Sequence, residues 1–177
     1  MLHADDRFIS IDLETTGLFP HRGDRVIEIG AVMVSDSGNI QEFHSLINVR
    51  KRISLKASRI HGITNDMLSD QPKAENIFPQ FMDFIRDGIL VAHNAIFDVS
   101  FLRYELSRLG LPFNNRYHCS LEMCKARLPE LRNYRLGTVY KSLFGKLPEG
   151  AQIHRALSDA KMVAEIWREI NGEGKWK

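Results

Sequence analysis

The segment Phe8-Ile9-Ser10-Ile11-Asp12-Leu13 constrains the fold more than any other stretch of the chain. Apolar and β-branched residues dominate it, and it runs into Thr15-Thr16-Gly17, which reads as a buried strand entering a turn. Two further strands are expected at residues 25–34 and 40–49, joined by Asp36-Ser37-Gly38-Asn39, whose turn chemistry suits an antiparallel hairpin. Beyond Arg50 the period becomes helical. Short pieces are expected at 57–60 and 64–69, the second with Thr64 as N-cap. A longer helix is expected at 74–86, where Ile77, Phe78, Phe81, Met82, Phe84 and Ile85 recur at three-to-four spacing as a packed face. A short apolar strand at 89–92 leads through His93 and the expected cap Asn94 into a helix over 95–109, ended by Gly110 and Pro112. A brief strand at 117–119 and helices at 121–127, 136–144 and 156–170 follow, with a frayed tail after Gly172. Three antiparallel strands, then alternating helices and strands, describe an α/β domain with a mixed sheet flanked by helices. A length of 177 residues suits one such domain.

Composition narrows the function classes. With 44% hydrophobic and 26% charged residues the chain falls among ordinary globular proteins rather than disordered or collagenous ones. Its 24 Lys+Arg against 22 Asp+Glu advertise no polyanion partner through net charge. Arg50-Lys51-Arg52 and Arg132 with Arg135 are local basic runs that could track phosphates, although a solvated surface is the more frequent role of such runs. Cys119 and Cys124 form a C-x4-C pair that lacks the spacing and the second half of a zinc site. So few cysteines, together with a polar start over residues 1–7, point to a reducing compartment and hence the cytoplasm. The longest apolar run, near residues 29–34, is far shorter than the ~20 residues of a membrane span, so no membrane role is expected.

Four acidic residues stand out. Asp12 and Glu14, two apart at the end of a strand, point to one face, and such neighbours repel unless a cation neutralises them. Asp98 lies one turn into the helix after His93-Asn94, where interaction with the helix dipole is its bland role. His154-Arg155-Ala156-Leu157-Ser158-Asp159 spans the entry to the last helix. Five residues cover about 500° of a regular helix, so His154 and Asp159 share a site only if His154 lies in the preceding loop, approached through Gly150-Ala151-Gln152.

Taken together, Asp12-Leu13-Glu14-Thr15-Thr16-Gly17, His93-Asn94-Ala95-Ile96-Phe97-Asp98 and His154 to Asp159 resemble the three motifs of the DEDDh 3′→5′ exonucleases. The likeness is greatest to the group containing the proofreading (epsilon) subunit of bacterial DNA polymerase III, and Ile60-His61-Gly62-Ile63-Thr64 also fits a segment of that group. The resemblance covers nearly the whole chain and implies a ribonuclease-H-like fold, with an exonuclease domain over residues 1–171 and a tail at 172–177. It implies two divalent ions, Mg²⁺ or Mn²⁺. Asp12 would bridge them, Glu14 and Asp159 would complete the first site, and Asp98 would support the second through water. His154 would be the general base, since an imidazole titrates near neutral pH. Thr15, Thr16, Gly17, His61, Asn94 and Phe97 are the candidate substrate-binding residues, Phe97 by stacking on a base.

The implied substrate is a single-stranded or frayed 3′ end of DNA. An RNA-directed member of the superfamily is the close alternative, and a non-catalytic nucleic-acid-binding module is the alternative of another class. Polymerase-bound members of the bacterial group carry an extra C-terminal segment, whereas this sequence stops soon after its last motif. A DNA polymerase partner is therefore an open expectation, and residues 172–177 would also suit a linker stub.

Overall fold

The computed structural model describes residues 7–35 and 39–171. Its centre is a five-stranded sheet of order β3-β2-β1-β4-β5: β1 (Phe8–Thr15), β2 (Val26–Val34), β3 (Ile40–Leu46), β4 (Ile89–Ala92) and β5 (Tyr117–Cys119). β1 pairs antiparallel with β2 and β2 with β3, while β4 and β5 join in parallel, so the sheet is mixed. β1 is central, as its apolar composition requires.

The period of two along β1 divides its side chains between two layers. Ile9, Ile11 and Leu13 face a core shared with Ile29 and Ala31 of β2, Phe78 and Phe81 of α3 (Ala74–Ile85), and Phe101 and Leu102 of α4 (Ala95–Arg108). Each aromatic buried here contributes roughly 1.5–3 kcal/mol of transfer free energy. The opposite face is covered by α7 (Ala156–Ile170), which packs with α5 (Ser120–Arg127) and α6 (Leu136–Phe144) around Val163, Ile166 and Trp167.

Boundaries shift where side chains rather than period decide them. β1 continues past Leu13 to Thr15, which puts Glu14 on the strand itself. β3 stops at Leu46 instead of 49, because Asn48 leaves the sheet to bond the Pro72 carbonyl. The piece expected at 57–60 is α1 (Leu55–His61), capped by the Ser54 hydroxyl on the Ala57 amide at 3.1 Å. Thr64 caps α2 (Asn65–Leu68) through the Met67 amide. Asn94 precedes α4 with a left-handed φ of 78° and makes no side-chain cap, so the expected Asn94 cap is absent. A 3-10 turn at Pro20–Arg22 was not legible in the pattern. The hairpin turn falls partly, and the tail wholly, outside the described residues. No described helix is long and apolar enough to cross a membrane.

Candidate active site

Asp12 and Glu14 lie on the face of β1 turned toward α7, and the register puts Gly30 and Glu28 of β2 beside them. Gly30 is what allows α7 to come close. A Cβ there would stand 2.3 Å from the backbone of Ala156 and Leu157, so any larger residue would push the start of α7 off the sheet. Close approach at Gly30 brings Asp159, in the first turn of α7, to the two β1 carboxylates.

Asp98 arrives from the other layer. Arg7, just before β1, accepts the amide of Ile89 in β4 at its carbonyl, and residues of like parity along β1 point their backbone the same way. The last β1–β4 pair is Ser10 with Val91, so the Leu13 amide lies beyond the reach of the β4 ladder. The buried Asp98 carboxylate accepts that amide, entering through the gap that β4 leaves.

His154 does lie in a loop. Its φ is 63°, a left-handed conformation that costs a non-glycine residue about 1–3 kcal/mol and persists only when its surroundings impose it. Two contacts impose it. The His154 amide donates to Asp159 Oδ2 at 3.1 Å, and the next residue is locked to the sheet. Arg155 donates from Nε to both Glu28 oxygens at 3.1 Å and from Nη2 to Oε1 at 2.8 Å, while the Ala156 amide donates to Oε2 at 3.1 Å. Glu28 therefore caps α7 from a neighbouring strand, with His44 Nε2 at 2.8 Å as a further partner. Sequence reading missed Glu28, Gly30 and Arg155; the only signal, a charged residue inside an apolar strand run at 26–34, was available.

The electrostatics separate these acids. Burial, then the charges of Asp98, Asp159, Glu14 and Glu28, raise Asp12 well above the carboxylate range. Burial and Asp159 push Glu14 up to about 8, burial takes Asp98 to about 8, and burial takes Asp159 to about 6 against the opposing His154 hydrogen bond. Burial also opposes ionisation of Glu28, but the bonds from His44, Arg155 and Ala156 outweigh it and bring the group down to about 2. The four carboxylates interact with one another, and among the described residues the positive charge acting on Glu14 is that of Arg155, itself paired with Glu28. Ligand atoms of Glu14, His154 and Asp159 all lie within 4.8 Å of one another, and Asp159 Oδ1 is buried with no hydrogen-bond partner among the described residues. This hard, oxygen-rich set with an orphaned carboxylate oxygen fits a divalent cation such as Mg²⁺ or Mn²⁺.

Beside Glu14 runs a groove lined by Thr15, Gly17, Leu18, Ile60, His61 and Phe97, four of them expected substrate-binding residues. Leu18 and Ile60 are exposed apolar groups at its edge, and Phe97 also packs on Phe101 with ring centroids 5.0 Å apart. His61 accepts the Ile63 amide at Nδ1, which leaves Nε2 to donate to the Thr15 carbonyl at 3.3 Å; burial lowers its pKa and keeps it neutral. Thr16 is turned away, its hydroxyl accepting the Arg25 amide at 3.0 Å and meeting Asp24. Asp24 packs where a Gly17 side chain would stand, so Gly17 permits the turn to close. Asn94 is exposed at the start of α4 and does not line the groove.

Comparison with known proteins agrees with this geometry. The exonuclease family model (RNase_T) matches residues 9–167. The DNA polymerase III subunit epsilon of Rickettsia felis is 39% identical over 94% of this chain and 74% of its own length. The PolC-type DNA polymerase III of Thermotoga maritima is 41% identical over 93% of this chain, which spans only 12% of that protein. Among solved structures, Exonuclease X in complex with 5′ overhanging duplex DNA aligns with a TM-score of 0.71 and 29% identity over 96% of this chain and 94% of its own. The nuclease domain of 3′hExo, a DEDDh family member bound to rAMP, shares the fold at a TM-score of 0.78 and 18% identity, over 96% of this chain and 93% of its own. With a ribonuclease-H-like sheet and its acids gathered at one end, the chain belongs to the DEDDh 3′→5′ exonucleases, close to the epsilon subunits of bacterial DNA polymerase III.

Proposed function

We propose that the chain hydrolyses the terminal phosphodiester at the 3′ end of a single-stranded or frayed DNA strand and releases nucleoside 5′-monophosphates. The observation that carries this reading is that ligand atoms of Glu14, His154 and Asp159 lie within 4.8 Å of one another, with Asp12 and Asp98 near enough to interact electrostatically with Glu14. Asp12, Glu14, Asp98 and Asp159 would hold two divalent cations, Mg²⁺ or Mn²⁺, which when bound supply Lewis-acid polarisation of the phosphodiester and neutralise the acids. His154, exposed and close to Glu14 and Asp159, takes the proton of the attacking water. Its fixed backbone angle and the Glu28–Arg155 anchor hold it facing the carboxylates. The terminal nucleoside lies in the groove beside Glu14, its base against Phe97, Leu18 and Ile60 and its sugar at the Thr15–Gly17 backbone. One base stacked on an aromatic ring is worth about 1–3 kcal/mol and tolerates any sequence.

DNA is preferred because the epsilon and Exonuclease X relatives are named for a DNA polymerase and a DNA complex. The epsilon relatives also make a DNA polymerase a candidate partner. Residues 1–171 form the exonuclease domain, and the unpaired Cys119 and Cys124 suit the reducing cytoplasm. The test is hydrolysis of matched DNA and RNA oligonucleotides, with free or blocked 3′ ends, with Mg²⁺ or with chelator. Mononucleotides released from free 3′ ends only, faster from DNA and only with the cation, are expected. Internal cleavage or metal-independent release would sink the reading.

A further inference from the structure

The short basic run at Arg50 lies in a second groove, away from the carboxylates. Arg25, Arg50, Lys73 and Arg108 line it, with Glu75 the only acid. Arg25 is held bidentately by the buried Glu105, at 2.7 and 2.9 Å, so its charge is satisfied within the protein. The side chains of Arg50, Lys73 and Arg108 are exposed and make no ion pair or hydrogen bond among the described residues. Three unpaired cations come together here from three separate segments: the stretch after β3, the start of α3 and the end of α4. A merely solvated surface run would not draw them from such distant parts of the sequence into one concavity.

Continuity with the site gives the groove its meaning. One segment, residues 48–57, lines both grooves: Asn48, Val49 and Arg50 the basic one, and Ser54, Lys56 and Ala57 the one beside Glu14. The Ser54 amide donates to the Thr16 carbonyl at 3.0 Å, which ties this segment to the end of β1. Ser54 follows Arg50 by four positions, so their backbones are at most about 14 Å apart. A nucleic-acid strand rises about 3.4 Å per nucleotide in a duplex and more when stretched, so the interval is a few nucleotides. Exposed Arg52 lies between the two.

We propose that Arg50, Lys73 and Arg108 form a subsite for the phosphate backbone of the bound strand, a few nucleotides on the 5′ side of its terminal residue. This rests on the exonuclease reading for which end of the strand is engaged, but not for the binding itself. The subsite reads charge rather than sequence and lengthens the strand the protein grips without contacting the scissile bond.

The test is the triple variant Arg50→Gln/Lys73→Gln/Arg108→Gln of the full chain, with unchanged circular dichroism as its folding control. Fluorescence anisotropy with a labelled ten-nucleotide strand, in Ca²⁺ to hold back hydrolysis, should show at least tenfold weaker binding. The slope of log affinity against log salt should flatten by about 2, at about 0.7 per lost phosphate contact. Hydrolysis of a dinucleotide, too short to reach the groove, should be unchanged, while KM for the ten-nucleotide strand rises at unchanged kcat. Equal affinity and equal salt slope in the variant and the wild type would overturn the subsite. If the wild type hydrolyses nothing, the functional reading falls, and the anisotropy arm alone still judges the subsite.

Discussion

Glu14 and Glu28 oppose each other across β1 and β2, both buried on the face beneath α7, yet the protein treats them in opposite ways. Glu28 receives Arg155, His44 and the Ala156 amide, and titrates at about 2. Glu14 receives no such partner, and burial with the charge of Asp159 drives it to about 8. A carboxylate neutralised from within holds backbone in place; one left unneutralised beside other acids is a site for a cation from outside. The pair separates the scaffold of the site from its chemistry within one cross-strand contact.

The largest effect should come from the unneutralised side. Asp159→Ala or His154→Ala should leave circular dichroism unchanged while mononucleotide release from a labelled 3′ end falls by several orders of magnitude, about 10²–10⁴ of it attributable to the general base. Full activity in either variant would erase the distinction. On the scaffold side, Glu28→Ala leaves Arg155 without its partner and frees the start of α7. Breaking such a buried pair costs about 3–5 kcal/mol, which should lower Tm by roughly 10 °C for a chain of this size. A variant that melts like the wild type would show that Glu28 is not the anchor.

pH should pull the two glutamates in opposite directions. The folded-state pKa of Glu14 is raised from 4.5 to about 8, so in metal-free protein the stability it permits is full below pH 4.5 and is lost as pH rises through 8. The folded-state pKa of Glu28 is lowered from 4.5 to about 2, so its contribution is present above pH 4.5 and is lost as pH falls through 2. Urea titrations with chelator across this range should therefore show Glu14→Gln reducing the alkaline loss, to which Asp12, Asp98 and Asp159 also contribute, and sparing the acid one. The smallest effect belongs to His44→Ala. Its ring is more than one-third exposed and Arg155 remains on Glu28, so less than about 1 kcal/mol is expected in the same urea assay.

Local pattern made much of this legible. The period of two placed Asp12 and Glu14 on one face of a strand, the 3.6 period marked α3, α4 and α7, and the 500° argument moved His154 off the helix. Each of these depends only on residues a few positions apart. Contacts between distant segments were not legible. Glu28 is an acid in an apolar run until Arg155, 127 residues away, reaches it, and Gly30 looks incidental until the backbone of α7 lies against it. Asp98 reads as a helix-dipole residue until the end of β4 exposes the Leu13 amide.

The sequence by itself determined which elements form and which of their faces are apolar, because those follow from local sterics and periodicity. Only the tertiary structure decided which carboxylate is neutralised, which glycine admits a helix and which cations share a groove, because burial and charge pairing depend on chain segments that meet only once the sheet has closed.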